Sequence, residues 1–141
     1  MASQRFLSKQ EIFDRAVDHL FAQRSAALLP RGGAAYRGAC GGCPVGSFIR
    51  PADYLSVIEG VPVRFLDPNI PGRPAYMELG VTALRRALRR ARIDVDDAGT
   101  VALLSCLQNV HDVFGVWEWR DRLVSIARQF DLACVFLDKA A

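Results

Sequence analysis

The sequence contains no apolar run approaching the roughly 18 residues needed to span a bilayer, and Met1-Ala2-Ser3-Gln4-Arg5 lead into a polar helical pattern rather than a signal-type apolar stretch. A cytoplasmic address with no membrane contact is therefore expected. Histidine is scarce, with two residues in the whole chain, His19 and His111. Cys40-Gly41-Gly42-Cys43 is the one pair at metal-ligand spacing, and Cys106 and Cys134 do not supply the second pair that a four-ligand zinc site normally has. A redox reading of the pair lacks the strand and helix order that frames thioredoxin-like motifs. No metal and no cofactor are expected, and the four cysteines should be reduced thiols. Internal repeats and low-complexity tracts are absent, and the net charge of +3 is too small to imply nucleic acid by itself.

What is there suits one globular domain spanning residues 1–141, with 51% hydrophobic and 23% charged residues. Ser8-Lys9-Gln10-Glu11 has the form of a capping box, and Ile12, Phe13, Ala16, Leu20 and Phe21 follow it at helical spacing, which predicts a helix ending near Arg24. Residues 25–42 hold Pro30 and several glycines and read as a glycine-rich loop. Pro44 and Pro51 mark helix starts, with Gly60 as a left-handed cap. Val61-Pro62-Val63-Arg64-Phe65 alternates like an edge strand, and residues 67–74 form a proline-rich loop. Met77 to Arg92, Thr100 to Phe114 and Val116 to Phe130 each carry helical periodicity. The expected fold class is mainly α, about five helices, with at most a small two- or three-stranded sheet from the Tyr36, Val63 and Val135 segments. The first helix should pack on the last two, with Leu107, Trp119 and Leu123 in the core and Trp117 pointing away from it.

Three groups of residues carry candidate chemistry. Cys43, His111 and Asp112 are the residue types of a thiol nucleophile, its base and an orienting carboxylate, and a helix start at Pro44 would favour the thiolate. Adjacent residues on a helix point about 100° apart, which makes Asp112 an awkward partner for His111, and a partly buried histidine with a backbone partner is the competing reading. Arg85, Arg86, Arg89, Arg90 and Arg92 fall on one half of a helix opposite Val81, Leu84 and Leu88. They form either an anion or nucleic-acid face or a solvated face paired with Asp94, Asp96, Asp97 or other carboxylates; without interleaved aromatics, nucleic acid is the less favoured partner. Trp117 could anchor a partner or pack under a loop.

Tyr36-Arg37-Gly38, Cys43-Pro44-Val45-Gly46, Ile49, Tyr54, Glu59-Gly60, Leu103-Leu104, Leu107-Gln108, His111-Asp112 and Trp119-Arg120, taken together, resemble a group of short hypothetical proteins encoded by bacteriophages, prophages and bacterial genomes. The likeness covers about two thirds of the chain, departing at Cys40 and between Asp67 and Asp97, and the group carries no established activity. The resemblance links Tyr36, Arg37, Cys43, Glu59, His111 and Asp112, as a shared ligand pocket or as a structural tie in which Arg37 and Asp112 pair. The function expected is that of a non-enzymatic accessory protein binding a host macromolecule or a small anionic ligand. The alternative is a cysteine-dependent hydrolase or transferase using Cys43 and His111.

Overall fold

The structure is a computed structural model that describes residues 5–23, 36 and 43–134. The chain is mainly helical. Among the described residues there are four α-helices, α1 (Lys9–Gln23), α2 (Glu78–Arg90), α3 (Ala98–Val113) and α4 (Trp119–Gln129), with six short 3-10 turns and no strand. No described helix is long and apolar enough to cross a membrane.

Local chemistry sets the helix starts. The Glu11 amide donates to Ser8 Oγ at 3.1 Å, and Glu11 Oε1 accepts the Ser8 amide at 3.0 Å. This is the capping box read from the sequence, of a kind worth about 1 kcal/mol. Arg5 reaches the same carboxylate at 2.8 Å, and its hydrogen bond, followed by that of the Ser8 amide, lowers the Glu11 pKa to about 2. At α3 the Asp97 carboxylate caps the Thr100 amide at 3.1 Å and its hydroxyl at 2.7 Å, while Lys9 pairs with it at 3.2 Å and ties α1 to the start of α3.

The ends of α2 and α4 share one device. Ile93 donates to the Leu88 carbonyl and Arg92 to that of Arg89, with Arg92 at φ +68°. Leu132 donates to Ala127 and Asp131 to Arg128, with Asp131 at φ +56°. Both are Schellman motifs in which a non-glycine residue takes the left-handed position. Arg92 therefore lies beyond the helix it was expected to extend, and its carbonyl accepts the Leu7 amide at 2.8 Å.

The core centres on α3, which packs against α1, α4 and the Val63–Leu66 turn. Leu103, Leu104 and Leu107 from α3 meet Ile12, Phe13 and Leu20 from α1 and Trp119 and Leu123 from α4 in one buried cluster. α2 lies over the Ser56–Ile58 and Val63–Leu66 turns. Its approach is so close that a Cβ on Gly80 would fall 2.6 Å from the Val57 carbonyl oxygen, so helix and turn touch backbone to backbone. Gly60 takes the expected left-handed position at φ +80°, but the short helix expected from Ala52 to Glu59 is two separate 3-10 turns, Pro51–Asp53 and Ser56–Ile58, with extended residues between them.

Val61 to Phe65, which alternates like an edge strand, is instead a turn. Pro62 enters it at φ −63°, Phe65 donates back to the Pro62 carbonyl at 3.1 Å, and the Val63 amide is taken by a side chain of α3. With that donor used, the segment cannot build a ladder along the same edge. Tyr36 is not in a strand, and Val135 lies outside the described residues. Residues 67–74 form successive turns.

Truncating Leu107 or Leu123 to alanine should cost about 2 to 5 kcal/mol, read from urea unfolding, because both are fully buried. A second expectation concerns acid. Folding depresses the Glu11 pKa, so its stabilising effect is complete above the ordinary carboxylate range and is lost as pH falls through about 2. Glu11→Gln should melt below the parent at neutral pH, and the gap in circular dichroism melts should close on approach to that acid limit.

Candidate functional site

The polar residues of α3 line up. Ser105, Gln108, Asn109 and Asp112 recur at spacings of three and four, so they share one face, distinct from the apolar face of Leu103, Leu104 and Leu107. This face looks across a cleft of about 200 Å³ toward Gly60, Val61, Pro62 and Arg64.

Gln108 is buried at the back of the cleft, and both ends of its carboxamide are bonded. Its Oε1 accepts the Val63 amide at 3.1 Å, and its Nε2 donates to the Tyr36 hydroxyl at 3.1 Å. That hydroxyl donates in turn to the Val61 carbonyl. The Tyr36 amide donates to Glu59 Oε1 at 2.7 Å, and the other oxygen of Glu59 accepts the Tyr54 hydroxyl at 2.8 Å. Tyr36 is buried, and burial raises its phenol pKa further above its ordinary alkaline value. Tyr36 and Glu59 thus join one network. Arg37 and Cys40 lie outside the described residues, so the expected pairing of Arg37 with Asp112 falls outside them too.

Cys43 sits beside this network with its thiol fully buried. The Gly46 amide donates to Cys43 Sγ at 3.4 Å, while the cap position of the short Gly46–Phe48 turn is Val45 rather than the cysteine. The sequence suggests a depressed thiol pKa at this helix start, but the structure gives the opposite. Burial pushes the Cys43 thiol up to about 12, and the Gly46 amide offsets little of that. A single 3-10 turn has almost no macrodipole with which to oppose desolvation.

His111 corrects a second expectation. It is fully buried rather than marginal, and its Nδ1 meets Asp112 Oδ1 at 2.8 Å. The neighbouring positions diverge along the helix, yet the aspartate side chain folds back far enough to close the gap. On its other side the imidazole stacks on Trp119, with centroids 6.2 Å apart and planes 29° apart. Trp119 is itself held by its indole N–H on the Phe114 carbonyl at 3.1 Å. Trp117, by contrast, is 85% exposed, with its ring lying against Gly115.

Arg85, Arg86, Arg89 and Arg90 share one side of α2. Arg85 is half-buried, donating to the Leu66 carbonyl at 2.8 Å and pairing with Asp96 at 3.5 Å. Arg89 also pairs with Asp96. Arg90 and Arg50 share Asp53, at 3.4 and 2.8 Å, and Arg50 in particular holds that carboxyl below its usual range. Arg86 has no ion pair among the described residues, and Tyr76 and Leu79 stand 81% and 77% exposed nearer the start of the helix.

No group of three or more metal-ligating side chains occurs among the described residues. Gln108, Ser105, Asn109, Tyr54 and Arg64 were not singled out as site residues from the sequence. The signal that could have found four of the cleft residues is the polar stripe at positions 105, 108, 109 and 112. No protein family, curated protein or solved structure matches the chain.

The burial of Cys43 has a direct chemical consequence. Iodoacetamide should label it slowly at neutral pH and faster only in strongly alkaline solution, with half-exposed Cys106 reacting ahead of it; mass spectrometry of the labelled peptides reads the order.

Proposed function

We propose that the chain is a non-enzymatic accessory protein of a phage, prophage or bacterial genome, acting in the cytoplasm, and that it binds an acidic patch on a host protein through the outer face of α2. The observation that carries this reading is the shortage of counter-charge on that face. Arg50 and Arg90 divide one carboxylate, Arg85 and Arg89 divide another, and Arg86 has no ion pair among the described residues. The Arg89–Asp96 pair is exposed on both sides and contributes little to stability, so it exchanges readily for a partner's carboxylates, whereas Asp53 is covered.

The same face extends into apolar surface. Tyr76, Leu79, Ala83, Arg86 and Arg90 recur at spacings of three and four, which gives one row that is aromatic and aliphatic at one end and cationic at the other. Tyrosine and arginine are the side chains that most often anchor protein interfaces. The resemblance to phage and prophage proteins supports the setting. The cysteine-dependent alternative finds a base and an orienting carboxylate in contact, but its nucleophile is buried with a raised pKa.

Fluorescence anisotropy with labelled poly-L-glutamate tests the proposal. Binding is expected at low salt, weakening steeply as salt rises. The double variant Thr82→Glu, Arg86→Glu, at two exposed positions, should abolish it without lowering the melting temperature appreciably. Absence of binding at low salt, or binding indifferent to these reversals, sinks the reading. Tighter binding to a DNA or RNA oligonucleotide overturns the choice of partner.

A further inference from the structure

We propose that the cleft between α3 and the Gly60–Arg64 segment is a binding site for a small zwitterion of amino-acid size, with its ammonium group on Asp112 and its carboxylate on Arg64. This goes beyond the α2 reading and rests on different residues.

Asp112 is the one charged group on the α3 wall of the cleft. Asp112 commits Oδ1 to His111, and its second oxygen has no protein partner among the described residues. A carboxylate oriented through one oxygen and open at the other is a ready acceptor for an ammonium group. Across the cleft, Arg64 is exposed and has no carboxylate partner among the described residues; its guanidinium carbon lies 4.8 Å from the centre of the Phe65 ring. Charges of opposite sign therefore stand on opposing walls. A simple anion would meet Asp112 and a simple cation would meet Arg64, whereas a molecule carrying both charges satisfies both walls.

Between the charges the lining is neutral and polar. Ser105 and Asn109 offer a hydroxyl and a carboxamide, and the fixed Gln108 makes the floor rigid because both ends of its amide are already bonded. Preorganised walls lower the ordering cost of binding. At about 200 Å³ the cleft is smaller than pockets that enclose drug-sized molecules, which suits a free amino acid.

The experiment is amide chemical-shift mapping on the full chain with pooled free L-amino acids at millimolar concentration. It is followed by the N-acetyl and methyl-ester forms of whichever amino acid acts. Saturable shifts at Ser105, Asn109 and Asp112 are expected, with each blocked form binding about tenfold or more weakly, as loss of a charge-assisted hydrogen bond implies. Arg64→Ala should weaken the free amino acid while leaving its methyl ester unaffected, and Asp112→Asn should likewise weaken the free amino acid while leaving its N-acetyl form unaffected. If Asp112→Asn fails to fold, the exposed Arg64 variant carries the test alone. The proposal falls if no free amino acid moves these amides, if the shifts lie instead along α2, or if both blocked forms bind as well as the parent.

Discussion

The side-chain amide of Gln108 joins three stretches of chain that no helix or sheet connects. From the middle of α3 it takes the backbone amide of Val63 on one side and gives a proton to Tyr36 on the other, while Tyr36 reaches on to Val61. Each of these groups is removed from water, so each would cost about 1 to 3 kcal/mol if left unpaired. The segment after Gly60, the tyrosine and the central helix consequently hold one another in place through a few shared protons. The back wall of the cleft and the cover over Cys43 both follow from that arrangement.

The network also bears on how reactive residue types should be read. A cysteine, a histidine and an aspartate are present, and two of them touch, yet the surroundings suit packing better than turnover at the thiol. The imidazole lies between a carboxylate and an indole, and the sulfur accepts a backbone amide inside the core. Desolvation dominates the thiol, and the Gly46 amide offsets only part of it. Asp112 differs from both, since among the described residues only one of its oxygens is bonded and it lines the cleft.

What could be read from the sequence was what is encoded locally. The capping box at Ser8 and Glu11, the helical stripes of α1 to α4 and the left-handed Gly60 each depend on residues a few positions apart. Alternation over Val61 to Phe65 misled, because a period of two cannot distinguish a strand from a proline-led turn buried on several sides. The site was harder to see. Tyr36 and Gln108 are 72 positions apart and Arg90 and Asp53 are 37 apart, so their pairing is a property of tertiary packing. The helical wheel placed Arg86, Arg89 and Arg90 outward correctly but could not say which carboxylates they would share. The stripe through Ser105, Gln108, Asn109 and Asp112 was legible as periodicity, yet a polar stripe normally means solvent, and nothing local reveals that a turn lies opposite.

The backbone contact at Gly80 sets the terms on which this protein can diverge. Any larger side chain there would have to lift α2 off the turn beneath it, because beside the Val61 methyl it meets the main-chain oxygen of Val57, which cannot rotate away. The seat of the helix is therefore closed to gradual adjustment, while Tyr76, Leu79, Thr82 and Arg86 on its outer side are exposed and free to vary. Descendants of one ancestor could exchange partners by rewriting that outer row alone, and their helices would still superpose at an unchanging glycine.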